Sequence, residues 1–217
     1  MIEGRVTCPP LYAVVDVDAC AHSGRDALTV AAGFQRAGVS LLQIRGKSIG
    51  AAALFDLTRA VMTTGNARVI VNDRADVARL AHAGGVHVGQ DDLPPSDARA
   101  IVGPEPWVGL STHTLEQATQ ALEEPISYLA VGPVFDTGTK STGYDAVGLD
   151  LVRRVAGLAK PSGIPVVAIG GITLERAPRV LEAGADSVCV ISDLLRGDAE
   201  ARAGAFLAAL GPNLRRS

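Results

Sequence analysis

The chain is short of several residue types at once, and each shortage removes a class of protein. Aromatic residues are only 4% of its 217 residues while glycine numbers 24, so a core must be made of Val, Ile, Ala and Leu, as in an α/β protein. Cysteines are three, Cys8, Cys20 and Cys189, widely separated and without a C-x-x-C pair. They offer neither a disulfide framework nor a zinc site, and Cys189, inside an apolar run, reads as a small core residue. There is no excess of positive charge: the formal net charge is −3. Binding to nucleic acid through counterion release is therefore not expected. No apolar run is long enough to span a bilayer, and the first residues have no apolar signal region, so no membrane partner and a cytoplasmic location are expected.

Linkers, low-complexity tracts and charge blocks are missing too. A single domain over residues 1–217 is expected, with 1–10 as an N-terminal extension. Ile2-Glu3-Gly4-Arg5 also matches a common protease-recognition string and carries no structural weight. Apolar residues at 47% and charged ones at 20% describe an ordinary globular chain.

What is present is a repeat of short apolar runs and Ala-rich amphipathic stretches. The runs cover 11–17, 41–44, 68–71, 85–88, 107–110, 128–131, 165–169 and 187–191. The stretches with helical spacing cover 26–37, 51–64, 75–81, 96–101, 115–122, 149–158, 174–183 and 199–210. Ser111 or Thr114 is a candidate cap for the fifth helix and Thr173 for the seventh. The runs are apolar throughout rather than alternating, as in parallel strands buried on both faces. Eight strand–helix repeats point to a closed (β/α)₈ TIM barrel near the compact limit of that fold. The rival, a doubly wound open sheet, lacks its usual G-x-G-x-x-G after the first strand, which ends in Asp16-Val17-Asp18.

In such a barrel, polar residues ending the strands share one mouth. Strand 2 ends through Gln43, Arg45 and Lys47, which point to one side at alternate positions. Asn72-Asp73 and Gln90-Asp91-Asp92 follow strands 3 and 4, and two carboxylates there make a plausible Mg²⁺ site. Asp73 as a helix cap and Asp91-Asp92 as a solvated turn are the plain alternatives. His87, in an apolar strand, reads more readily as a packed histidine than as a ligand. Ser111 and His113 follow strand 5; Ser111 suits a phosphate donor or a cap, and His113 has no carboxylate neighbour to make it an acid or base. After strand 6 come Thr137, Gly138, Thr139 and Lys140, two hydroxyls and an ammonium on a flexible loop, suited to phosphate. Gly170-Gly171 and Ser192 close the series after strands 7 and 8, where barrels often grip a phosphate with bare N–H groups.

Taken in order, Gln43-x-Arg45-x-Lys47, Asn72-Asp73, His87-x-Gly89-Gln90-x-Asp92, Ser111-x-His113, Gly132-Pro133-x-x-x-Thr137-x-Thr139-Lys140, Gly170-Gly171 and Ile191-Ser192 resemble the thiamine-phosphate synthases over nearly the whole chain. The resemblance implies an alkyl transfer. An aminopyrimidine methyl diphosphate loses diphosphate, and the nitrogen of a thiazole phosphate, or of its carboxylated form with loss of CO₂, captures the carbon. It further implies that Gln43, Ile44, Arg45, Gly46, Lys47, Asn72, Ser111 and Lys140 hold the pyrimidine diphosphate, with Arg45, Lys47, Ser111 and Lys140 acting in catalysis. Asp73 and Asp92 would hold one Mg²⁺, and Thr137, Gly138, Thr139, Gly171, Ile191 and Ser192 the thiazole phosphate. The partners implied are these small molecules, and a homo-oligomer is compatible with the sequence. Gly84 and Ser127 depart from acidic residues frequent in the family. A thiazole tautomerase on the same barrel and a non-catalytic thiamine-phosphate sensor are the alternative readings. Thr137-x-Thr139-Lys140 argues against the first, and the paired carboxylates with three cations against the second.

Overall fold

A computed structural model describes residues 6–136 and 145–211. Eight parallel strands close into one barrel in sequence order: β1 (Leu11–Asp16), β2 (Leu41–Arg45), β3 (Arg68–Asn72), β4 (Gly85–Val88), β5 (Trp107–Thr112), β6 (Tyr128–Val131), β7 (Val166–Ile169) and β8 (Ser187–Val190). The helices are α1 (Val17–His22), α2 (Ala27–Arg36), α3 (Ala51–Met62), α4 (Ala75–Ala81), α5 (Pro95–Val102), α6 (Leu115–Ala121), α7 (Gly148–Ala159), α8 (Ala177–Glu182) and α9 (Ala199–Ala209). Among the described residues, no helix is long and apolar enough to cross a membrane.

The uniform apolarity of the strands has its reason in two separate cores. Side chains alternate along a strand. On β1, Leu11, Ala13 and Val15 face the helices, while Tyr12 and Val14 fill the barrel with Leu41, Ile70, Tyr128, Ala130, Val167 and Cys189. Both faces are buried, so the strands are apolar on both sides apart from a few polar side chains such as Gln43 and His87 that are hydrogen-bonded. The hydrogen-bonded register runs from Val15↔Ile44 and Asp16↔Arg45 through His87↔Gly109 and Gly109↔Tyr128, closing with Tyr12↔Cys189.

The structure departs from the sequence reading at several element ends. The first strand stops at Asp16 rather than 17, because Asp16 caps a short helix that was not expected: its Oδ1 accepts the Ala19 N–H at 2.9 Å. Thr114 is the cap of α6, accepting from the Gln117 N–H at 3.1 Å, whereas Ser111 lies inside β5. Thr173 caps no helix, since α8 begins only at Ala177, beside Pro178. Strand β8 ends at Val190, and Ser192 opens a 3₁₀ turn, Ser192–Leu195. Ser127, where the family often has a carboxylate, remains an acceptor: its Oγ receives the Val108 N–H and Arg99 Nη2, both at 3.0 Å.

Candidate active site

The C-terminal ends of the strands enclose a cleft of about 350 Å³, within the size range of small-ligand sites. Its floor is apolar, with Val14, Ala130, Val167 and Cys189; its walls carry Gln43, Arg45, Lys47, Asn72, Asp73, Asp92, Ser111 and His113. Of the expected site residues, these polar ones and Ile191 therefore converge on one space. Ile44 and Gly46 do not line it. The Ile44 side chain is fully buried toward the helices, so only its backbone faces the neighbouring strands. Thr137, Gly138, Thr139 and Lys140 lie outside the described residues.

Arg45 ends β2 next to Asp16 in register, and its Nη1 bonds the Asp16 carboxylate. That pair is largely buried, with side-chain exposures of 14% and 7%, so Asp16 holds the guanidinium in one orientation. Arg45 Nε is buried without a hydrogen-bond partner among the described residues. A buried unpaired donor is costly, and an anionic ligand would satisfy it.

Asp73 and Asp92 face each other from the ends of β3 and β4. Burial raises the Asp73 carboxyl above its ordinary pKa, the Lys47 ammonium bonded to it lowers it, and the neighbouring Asp92 raises it. Asp73 also stands at φ 61°, a left-handed backbone uncommon outside glycine, and its side chain caps nothing, since α4 has no side-chain cap. A crowded carboxylate in this backbone conformation, ion-paired to Lys47 and facing a second carboxylate, suits a cation site. Asp92 Oδ2 accepts the Gly89 N–H at 2.8 Å, which keeps its carboxylate turned in toward that turn. Among the described residues no group of three or more His, Cys, Asp or Glu side chains could hold a metal. A hard cation here would draw its remaining ligands from water and substrate oxygens.

At the far rim, Gly170 and Gly171 both take positive φ, 104° and 61°. A side chain at Gly171 would stand 2.6 Å from the Asp136 carbonyl, so the loop after β7 packs on the chain leaving β6 only because glycine is there. Asp193 ties this loop to the turn after β8, accepting the Leu174 N–H at 3.0 Å. Gly171 and Ser192 are thus held on adjacent strand ends outside the cleft proper.

Several residues that matter here were not picked out from the sequence. By sequence Asp16 reads as the end of a strand. Tyr12 and Tyr128 sit in apolar runs and read as core. His87 is buried and hydrogen-bonded, as expected, yet one of its partners is Ser111, with Nε2 at 2.8 Å from Oγ. His113 is oriented by the Gly132 carbonyl, 2.5 Å from Nδ1. The one sequence signal for this cluster was Gly109 in mid-strand, a position where glycine marks close approach of another group.

A parallel barrel whose mouth joins paired carboxylates, fixed cations and bare glycine backbone is an enzyme scaffold for phosphorylated small molecules. Residues 11–194 match the family model described as thiamine monophosphate synthase, and the chain belongs to that family. It is 44% identical over 207 residues to the thiamine-phosphate synthase of Koribacter versatilis, covering 92% of this chain and 94% of the relative. The synthase of Shouchella clausii is 38% identical over 204 residues, covering 92% and 95%. Among solved structures, thiamine phosphate pyrophosphorylase from Pyrococcus furiosus superposes with a TM-score of 0.83 at 28% identity, covering 93% and 95% of the two chains. A 3-hexulose-6-phosphate synthase at 17% identity and TM-score 0.65 shares the barrel alone.

Proposed function

We propose that this protein makes thiamine phosphate by transferring an aminopyrimidine methyl group from diphosphate to the ring nitrogen of a thiazole phosphate. The observation that carries the reading is the Asp73–Asp92 pair set against Arg45 and Lys47 at one end of the cleft. In the reaction, the bond between the methylene carbon and a diphosphate oxygen breaks, and the electron pair leaves with diphosphate. The amino group of the pyrimidine feeds electrons into the ring and stabilises the cationic carbon. The thiazole nitrogen then forms the new C–N bond with its lone pair; it carries no proton, so no general base is needed. The carboxylated thiazole would lose CO₂ as well.

The protein's task is to stabilise charge on the departing group. Mg²⁺ held by Asp73 and Asp92 would supply positive charge to the diphosphate oxygens. Arg45, held by Asp16, offers an unpaired Nε to the same group, and Lys47 and Ser111 add an ammonium and a hydroxyl. Lys140 would add a further cation, with Gln43, Asn72 and the backbone of Ile44 and Gly46 around the pyrimidine diphosphate. Gly171, Ile191, Ser192 and the Thr137–Gly138–Thr139 segment would take the thiazole phosphate. Such donors, fixed before the charge develops, are each worth on the order of 10²–10³ in rate.

The test is direct: purified protein, Mg²⁺, pyrimidine methyl diphosphate and thiazole phosphate should give thiamine phosphate and diphosphate in equal amounts. Failure to form either would rule the synthase out, and isomerisation of a carboxylated thiazole alone would indicate a tautomerase.

A further inference from the structure

We infer that Gln43, Tyr12, Tyr128, His87 and Ser111 form one hydrogen-bond chain with a set direction, in which Tyr128 and His87 are positioning residues that make the Ser111 hydroxyl a donor into the cleft. The inference rests on the reading above for what that donor meets, the leaving diphosphate. The chain crosses the barrel interior. Gln43 Nε2 donates to the Tyr12 hydroxyl at 2.8 Å, and the Tyr12 and Tyr128 hydroxyls are 2.9 Å apart. The Tyr128 hydroxyl is 2.9 Å from His87 Nδ1, and His87 Nε2 is 2.8 Å from Ser111 Oγ.

Proton counting sets the direction. Each phenol has one proton, and burial drives both phenols' pKa well above the ordinary value, so both stay protonated. Tyr12 already receives the Gln43 amide, so in its 2.9 Å contact with the Tyr128 hydroxyl it is the donor. The Tyr128 proton then goes to His87 Nδ1. That makes Nδ1 the acceptor and leaves the ring proton on Nε2, where it is donated to Ser111 Oγ. Ser111 therefore accepts from inside the barrel and turns its own proton toward the cleft it lines. The reverse direction would make Ser111 and His87 a nucleophile–base pair, as in acyl-transfer enzymes. One carboxamide decides between them, and it lies four hydrogen bonds away from Ser111.

The barrel is built to allow this contact. His87, Gly109 and Tyr128 are register neighbours on β4, β5 and β6, so their side chains share one interior level. Gly109 leaves the space between the other two empty. His87 and Tyr128 meet across it with ring centroids 5.6 Å apart and planes 21° from parallel. Packed this way against Tyr128, the His87 ring presents its Nε2 edge to Ser111.

The experiment is nitrogen NMR of histidine-labelled protein without substrates. The chain has four histidines, and the His87 signals are assigned by their loss in His87→Gln. The expected result is an unprotonated Nδ1 and a protonated Nε2, with that preference lost in Tyr128→Phe. In the assay, Tyr128→Phe should lower kcat on the order of tenfold with KM for both substrates within about twofold, as expected for one neutral hydrogen bond that tightens in the transition state. His87→Gln, whose amide can still donate to Ser111, should keep more kcat than His87→Leu. A proton on Nδ1, an imidazolium, or wild-type kcat in Tyr128→Phe would overturn the inference, and the NMR result on the unmutated protein decides it even if a variant fails to fold. The expected tautomer in a protein that makes no thiamine phosphate would leave the chain's direction standing and refute the synthase reading instead.

Discussion

Replacing Gly109 with alanine should damage stability and activity together, and the structure says by how much. A Cβ at 109 would lie 2.1 Å from Tyr128 Cζ, 2.4 Å from its hydroxyl and 2.5 Å from His87 Nδ1. These are rigid targets: Tyr128 is fully buried and packs edge-on against Tyr12 at 5.8 Å and Trp107 at 6.2 Å. Overpacking of this kind costs about 1–3 kcal/mol. Pushing Tyr128 from His87 strands a buried hydroxyl and a ring nitrogen, which adds about 1–3 kcal/mol. The sum of about 2–6 kcal/mol corresponds to a fall in Tm of roughly 5–20 °C for a chain of this length. Thermal unfolding followed by circular dichroism measures it. A Tm within about 2 °C of the parent, with unchanged kcat, would show that the interior is looser than the distances state and that the His87–Tyr128 contact is dispensable.

Asp73→Asn should leave the metal-free protein at pH 7 as stable as the parent or more so, while abolishing turnover. The raised Asp73 pKa means that the folded state holds this proton more tightly than the unfolded state. Its contribution to stability is thus present at low pH and lost as pH rises through the folded value. Asparagine removes that loss and tolerates φ 61° at least as well, so the variant's Tm advantage should shrink on acidification toward pH 4; a clear Tm loss at pH 7 would count against the assignment. Asp92→Ala should give weak turnover needing much more Mg²⁺, measured as rate against Mg²⁺ concentration, and an unchanged metal dependence would remove Asp92 as a ligand. Arg45→Lys should lower kcat by about 10²-fold, because a lysine cannot bond Asp16 and also present a second fixed donor; steady-state kinetics reads it, and a loss below about threefold would contradict the role given to the Asp16–Arg45 pair.

Much of the barrel was legible because its demands are local and repetitive. The strands 85–88 and 128–131 and the helix 75–81 fall where hydrophobic spacing puts them. The errors sit at ends, where one side chain outweighs the pattern: Asp16 captures the Ala19 N–H and turns Val17, apolar enough for a strand, into the first residue of α1. Convergence of Arg45, Lys47, Asp73, Asp92 and Ser111 on one cleft followed from the rule that strand ends of a barrel share a mouth. The Ile44 side chain and the cap expected at Thr173 did not follow, since each depends on which way a single residue faces.

Hydrophobic spacing, the polar strings after each strand and the missing dinucleotide loop determine, from sequence alone, a parallel barrel for phosphorylated substrates. Sequence could not tell Tyr12 and Tyr128 from ordinary core, because both faces of these strands are buried and a buried tyrosine reads like any other apolar position. Only closure of the sheet decided their role. It brought residues 12, 43, 87, 111 and 128 from five strands within hydrogen-bond reach of one another, where buried phenol, imidazole and amide satisfy one another.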